Sequence, residues 1–501
     1  MMVSLASVLT LASSLAGAQS PPAKPEMGPT DPYAELTPAP KAAPKAAPKA
    51  APKKPAAKPA NVPLDPYADP APRVGPTPPP TVVAPLDPYG PAAPTTPAKA
   101  EAPAVVPRVG LTDITAVQGL LAVQRLGGWL LFDRDGSNPI AVRLVAPEGH
   151  PQRPWFYLIP AQGQPISLVH SAEQRSFDHL PGKKLLYQGY RDLDKQLKAM
   201  LKGVKAVAVE YSPKAAVPAV SRVDAGTLEV IRAAGVQVKS SDTLVQYTKA
   251  IWGDPGRTAH YVAVHHLVEL RKEALAFASK QLLSGAAITE YDVQQRLVHG
   301  MTMRGLVGPP PVVATGVNTA DPYYVPTAAK AAPIKRGDLI VISLAAKLDK
   351  PEGIYAAQTW CAVADTAAPD QLTRAFESTA LARDQALALI ADRVRKHRPI
   401  TGAEVDQTTR GSLKKAGLGD RILHRTGHSL DSDLQGGGAD LDDYEVRDSR
   451  ILTPGTGFTV GPGLYFPSQF GVRTEVSVYL SPTGPEVTTP IQDDLELLLK
   501  R

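Results

Sequence analysis

The sequence predicts an α/β half followed by an α+β half, carried behind a long proline-rich segment that joins neither. Three observations lead there. Of 52 prolines in 501 residues, 27 fall between Gln19 and Arg108, too many for a packed domain. From Val109 on, apolar spacing changes to short strands bracketing helices, and in the last third to strands alone. The composition, 43% hydrophobic and 20% charged, suits a globular body and excludes both a multispanning membrane protein and disorder of the whole chain.

The opening MMVSLASVLTLASSLAGAQS holds an apolar run that ends in Ala16-Gly17-Ala18, the small-x-small pattern of a signal-peptidase site, although no basic residue precedes it. Residues 1–18 are therefore expected to be a signal peptide, with export to the periplasm or the extracellular space. No cysteine follows the cut, so no lipid anchor is expected, and no later apolar run is long enough to predict a membrane span.

Residues 19–108 are expected to be a disordered Pro/Ala/Lys spacer, with an alanine-proline-lysine repeat between Pro40 and Lys54. Proline fixes φ and removes a donor, so polyproline II is the default, and ninety such residues could reach roughly 280 Å if extended. Asp-Pro-Tyr recurs there at 31–33, 65–67 and 87–89. Repeat duplication explains this; the sharper alternative is a docking motif that would hold an envelope component through the stalk.

The formal charge of +6 divides evenly, since the first 108 residues hold ten Lys/Arg and seven Asp/Glu. Neither part is basic enough to predict a nucleic-acid partner. One cysteine, Cys361, excludes an intrachain disulfide and a multi-thiolate metal site.

In the first domain, 109–250, residues 114–126 read as a helix and GGWLLFDRD as a strand; KAVAVEYS and VQVKSS are strands around a helix at 225–234. The second domain, 255–495, opens with a long helix at 258–283, where the adjacent His265 and His266 suit surface or interdomain packing. Thr289-x-x-Asp292 then forms a capping box ahead of Val293, Leu297 and Met301. The strand DLIVISL, helices at 370–394 and 403–417, and the strands GFTVG, GLYF and EVSVYL follow. This order predicts a curved antiparallel sheet with helices on one face.

Self-contained catalytic signatures are absent: there is no HExxH, no GxSxG, no phosphate loop and no GxGxxG after a strand. The informative segments are PPVVATGVNTADPYYVPT, RGDLIVISLAAKLDKPEGIYAAQTW and the run from HRTGHSLD to GVRTEVSVYL. Together and in this order they resemble the catalytic domain of the pita-bread metallopeptidases, the family of aminopeptidase P, prolidase and creatinase. The preceding domain resembles that family's creatinase-like N-terminal domain. The resemblance implies a pita-bread fold for the second domain.

It also implies a site of two divalent cations, Mn, Co or Zn, held by Asp, Asp, His, Glu and Glu. Carried over, these positions fall on Ser343, Ala357, His428, Gly461 and Glu475. Only His428 and Glu475 keep the family's residue. Two close dications need carboxylate charge to hold them, whereas serine is a weak neutral ligand and alanine and glycine offer no side-chain donor. No metal cofactor is expected. Two assisting histidines of the family are replaced by Tyr323 and Gln435, and a phenol is a poor base at neutral pH. Ser343, His428 and Glu475 could form a nucleophilic set only by rearrangement, because the family's geometry spaces them for metals.

The chain is thus expected to be an exported pseudoenzyme that binds a peptide or protein, proline-containing ones included, or serves as a scaffold. The family's histone-chaperone relatives imply such use, and its dimeric members imply that a homodimer is compatible. The alternative is an active Xaa-Pro aminopeptidase or prolidase-like hydrolase with two cations, its ligands supplied by Asp338, Asp349 or Asp431. Asp338 suits this poorly, since five residues separate it from Ser343 and the odd offset puts it on the other sheet face.

Overall fold

Six consecutive apolar or screened residues, GWLLFD, make the strand β1 (Gly128–Asp133), and every one of them is buried. Only a strand covered on both faces tolerates that. The structure, a computed structural model, describes residues 113–499, so the expected signal peptide, the spacer and its Asp-Pro-Tyr repeats lie outside the described residues. Around β1 stand β2 (Trp155–Pro160), β3 (Ile166–His170), β4 (Lys183–Tyr187), β5 (Ala206–Val209) and β6 (Gln237–Ser240), in the order β4-β3-β2-β1-β5-β6. The sheet is mixed, with β1 antiparallel to β2 and parallel to β5.

Alternation along the strands divides the core. Trp129, Leu131, Trp155 and Tyr157 pack under α1 (Ile114–Val123) and α2 (Pro139–Val145), whereas Leu130, Phe132, Phe156 and Leu158 pack under α3 (Tyr190–Met200) and α4 (Ala225–Ala233). Sequence reasoning leaves α2, β2, β3, β4 and α3 unassigned. β2 reads WFYLIP, an apolar run without alternation, from which periodicity cannot choose a strand.

The second half begins with α5 (Asp254–Ser284), four residues earlier than expected, because Pro255 pre-sets the first turn. α6 (Glu290–Met303) starts at the expected capping box, with Thr289 Oγ1 accepting from the Asp292 amide and the Asp292 carboxylate accepting from the Thr289 amide. β7 (Leu306–Val307), β8 (Val312–Thr315), β9 (Leu339–Leu348) and β10 (Ala356–Val363) form a sheet that lies under α5 and α6 through Ile340, Ile342 and Leu344. α7 (Asp370–Arg395) and α8 (Gly402–Lys415) follow.

The expected single antiparallel sheet is corrected here. The strands β11 (Ser429–Leu430), β12 (Gly457–Val460), β15 (Val476–Ser481) and β16 (Gly484–Val487) form one sheet, and β13 (Gly463–Phe466) pairs with β14 (Phe470–Arg473) in another. β17 (Glu496–Leu497) runs parallel to β10. A bridge between Thr359 and Glu475 ties β10 to the start of β15. Cys361 on β10 is buried, and its Sγ lies 3.3 Å from the Arg473 carbonyl. Burial pushes its thiol up to about 12.

Candidate functional site

Strand alternation builds the floor. On β9, Ser343 and Ala345 share one face, while Ile342 and Leu344 point into the core beneath. Across the ladder Thr359 opposes Ser343 and Ala357 opposes Ala345. The turn from β14 into β15 brings Arg473 and Glu475 to the same place, and the segment before β11 brings His424, Arg425 and His428. A cavity of ≈ 320 Å³ opens above them. Pro309, Pro310, Pro322 and Val325 form a wall without free amide donors at its prolines.

The structure gathers the sequence-predicted positions. Ser343, Ala357, His428, Glu475, Tyr323 and Gln435 all line this cleft. Gly461 stands behind Glu475, and a Cβ added there would lie 2.9 Å from the Glu475 Cβ and Cγ. The glutamate side chain has settled into the space that a larger residue at 461 would need.

Glu475 is 3% exposed, and its Oε1 accepts from Arg473 Nη2 at 2.6 Å. Burial pulls its carboxyl upward, but Arg473, His428 and the Thr359 hydroxyl outweigh that and hold it below the usual glutamate range. The charged partner of Glu475 is thus Arg473, two residues before it. Thr359 Oγ1 lies 2.9 Å from Glu475 Oε2 and 2.9 Å from Ser343 Oγ. A carboxylate can only accept, so the Thr359 proton goes to Glu475 and Ser343 donates to Thr359. Ser343 is therefore engaged away from His428, and the nucleophilic set does not assemble.

His428 turns Nδ1 toward the Ser429 carbonyl at 3.2 Å. The proton belongs on that nitrogen, which leaves Nε2 as a lone-pair acceptor. Burial lowers the imidazole's pKa, against the pull of Glu475 and Asp440. His424, which sequence reasoning missed, donates from Nδ1 to the Arg425 carbonyl at 2.7 Å and accepts at Nε2 from the Tyr465 hydroxyl at 2.8 Å. Burial, with Arg473 nearby, lowers it to about 4. Its signal was its place four residues before His428.

Tyr323 is 75% exposed at the cleft lip, and its amide donates to Asp321 Oδ1 at 2.9 Å. Gln435 Oε1 accepts from Arg425 Nη2 at 2.5 Å. The three alternative aspartates stand elsewhere. Asp338 precedes β9 and accepts from the Lys335 amide, Asp349 follows the far end of β9, and buried Asp431 is paired with Lys249 at 2.8 Å.

These residues do not fit a two-metal centre. Among the described residues, no group of three or more His, Cys, Asp or Glu lies close enough to hold a metal ion. The carboxylate at 475 is already neutralised by Arg473, and one free imidazole nitrogen leaves any ion mostly aquated.

The sequence pattern of metallopeptidase family M24 matches residues 258–482. That stretch of the chain belongs to family M24. The M24 region has the family's pita-bread fold, and the likeness reaches into the first half as well. The crystal structure of dipeptidase PepE from Mycobacterium ulcerans matches with a TM-score of 0.59 at 20% identity, covering 77% of this chain and 96% of that one. Among sequence relatives, the uncharacterized peptidase YqhT of Bacillus subtilis is 29% identical over 187 residues, 37% of this chain and 48% of its own length. The Xaa-Pro dipeptidase of Pyrococcus furiosus is 25% identical over 230 residues, 45% of this chain and 60% of its own length. The chain thus spans about half of the first of these sequence relatives and three fifths of the second.

Proposed function

We propose that this chain is a non-catalytic member of the M24 family that binds a peptide or protein in the cleft without metal. The reading includes export behind the N-terminal leader, to the periplasm or the extracellular space, with the proline-rich segment as a spacer.

One observation carries it. The retained carboxylate, Glu475, is tied to Arg473 at 2.6 Å, while positions 343, 357 and 461 hold serine, alanine and glycine. An internal cation neutralises the charge that would otherwise favour a metal, and the lost side chains leave room for a ligand. The cleft volume of ≈ 320 Å³ lies at the small end of ligand sites. Proline and tyrosine at its wall favour an extended, proline-containing peptide as the occupant.

The test uses the full chain. After incubation with excess manganese, cobalt or zinc and exhaustive dialysis, elemental analysis is expected to find no retained ion, and Xaa-Pro dipeptides are expected to stay uncleaved. A fluorescein-labelled tripeptide with proline second is expected to bind saturably by anisotropy. Two ions per chain together with cleavage would establish the alternative, a working Xaa-Pro hydrolase; absence of both cleavage and peptide binding would sink the peptide reading.

A further inference from the structure

Residues 431–438 read Asp-Ser-Asp-Leu-Gln-Gly-Gly-Gly, a composition that suggests a loose turn. The structure holds them as a strap. The fully buried Asp431 carboxylate accepts from the amide of Asp433 at 2.7 Å and from the amide of Gly437 at 2.8 Å. The same carboxylate meets Lys249 Nζ at 2.8 and 3.0 Å, and that ammonium also lies 3.0 Å from Asp433 Oδ2. Lys249 is itself 8% exposed at its side chain. Ser432 adds two ties, its carbonyl accepting from Lys347 Nζ at 2.6 Å and its hydroxyl from Arg143.

The glycines fit the same seat. A Cβ at Gly437 would stand 3.0 Å from Lys249 Cδ and 3.2 Å from Val245 Cγ1, and one at Gly438 would stand 2.6 Å from Ser429 Oγ and 3.2 Å from Ala250 Cβ. The strap therefore lies flat against residues 245–250, which end the first half of the chain. Its outer edge does something different: Leu434 and Gln435 line the cleft.

We propose that Lys249, which does not line the cleft, is a positioning residue that pins this strap, so that the first half of the chain sets one wall of the binding site. This rests on the reading of the cleft as a binding site. Without the ammonium, buried Asp431 keeps its two amide donors but loses its counter-charge, and water must enter to solvate it. Leu434 and Gln435 then lose their fixed place.

The experiment compares the full wild-type chain with Lys249→Met, Lys249→Arg and Gly437→Ala. Amide hydrogen exchange is read over 431–438, alongside anisotropy titration of the fluorescein-labelled proline tripeptide. In Lys249→Met the strap amides are expected to exchange about tenfold faster while those of β9 and β10 keep the wild-type rate, since the opening is local. Peptide affinity is expected to fall by about tenfold as the wall loosens. Lys249→Arg, which keeps a cation, is expected within about threefold of wild type on both readouts. Gly437→Ala leaves the ammonium intact and is expected to free the strap in the same way. Wild-type exchange rates over 431–438 in Lys249→Met would overturn the proposal, whatever Gly437→Ala does. Exchange is read without ligand, so a wild-type chain that ignores the peptide defeats the binding reading and leaves the exchange comparison to decide the strap.

Discussion

Arg473 and Glu475, two residues apart on one turn, meet at 2.6 Å with the carboxylate buried and the guanidinium reaching partly to solvent. The pair neutralises the retained carboxylate from within the protein. Arg473 is the largest of the influences that hold this carboxylate ionised, ahead of His428 and the Thr359 hydroxyl.

Replacing Arg473 by methionine is expected to leave Glu475 buried and uncompensated, at a cost of about 3–5 kcal/mol at pH 7. The sign with pH follows from the lowered pKa of Glu475. The pair's contribution is present above the unfolded value near 4.3 and is lost as pH falls through the folded value. Urea melts should therefore show the gap between wild type and Arg473→Met closing on acidification. Glu475→Gln should cost less, because Arg473 can turn to water.

His260, buried between the Tyr355 carbonyl and the Thr488 hydroxyl, is lowered to about 4 by burial, as is His424. An unfolded histidine takes a proton below about 6.5, whereas these two refuse it until about 4. Stability should fall as pH drops through that window, by about 3 kcal/mol for each ring. Thermal melts of a His260→Gln/His424→Gln chain should show a flatter acid slope than wild type.

Glu210 acts in the opposite direction. It is fully buried, accepts from Trp129 Nε1 at 2.7 Å and from Asn138 Nδ2 at 2.9 Å, and is raised to about 7 by burial, which those bonds only partly offset. The folded chain holds this proton between about 4.5 and 7 and the unfolded chain does not, so the charge costs about 3 kcal/mol above pH 7. The melting temperature of Glu210→Gln relative to wild type is expected to rise from pH 5 to about pH 7 and to level off above it. A difference independent of pH would show that Glu210 is not the titrating group.

Gly427 precedes His428 and bridges to Leu441; a Cβ there would lie 1.9 Å from the Thr459 carbonyl oxygen. Gly427→Ala must push β12 away, at an expected cost of about 3 kcal/mol, measurable by chemical unfolding. Gly411, where a Cβ meets nothing within 4 Å, is the control expected to tolerate alanine.

Local signals were the ones most legible from sequence. The capping box at Thr289 and the helix after it follow from residues three apart. The DLIVISL strand follows from its length and flanks, and the site positions follow from several segments read in order. Pairings over long separations were hidden. Asp431 was a candidate ligand because carboxylates near a histidine invite that reading, yet it is held by Lys249, 182 residues away. Arg473 was not legible as the partner of Glu475, since only the turn between β14 and β15 decides which base faces the carboxylate. In the first half, β2 escaped because a strand covered on both faces shows no alternation.

Cys361 has a consequence at the bench. The chain's single thiol is buried under the β14 turn and pushed up to about 12, so alkylating reagents at neutral pH find almost no thiolate there. A cysteine placed at Tyr323, on the exposed lip of the cleft, would take a maleimide dye alone, with no background labelling to subtract and no native thiol to remove first.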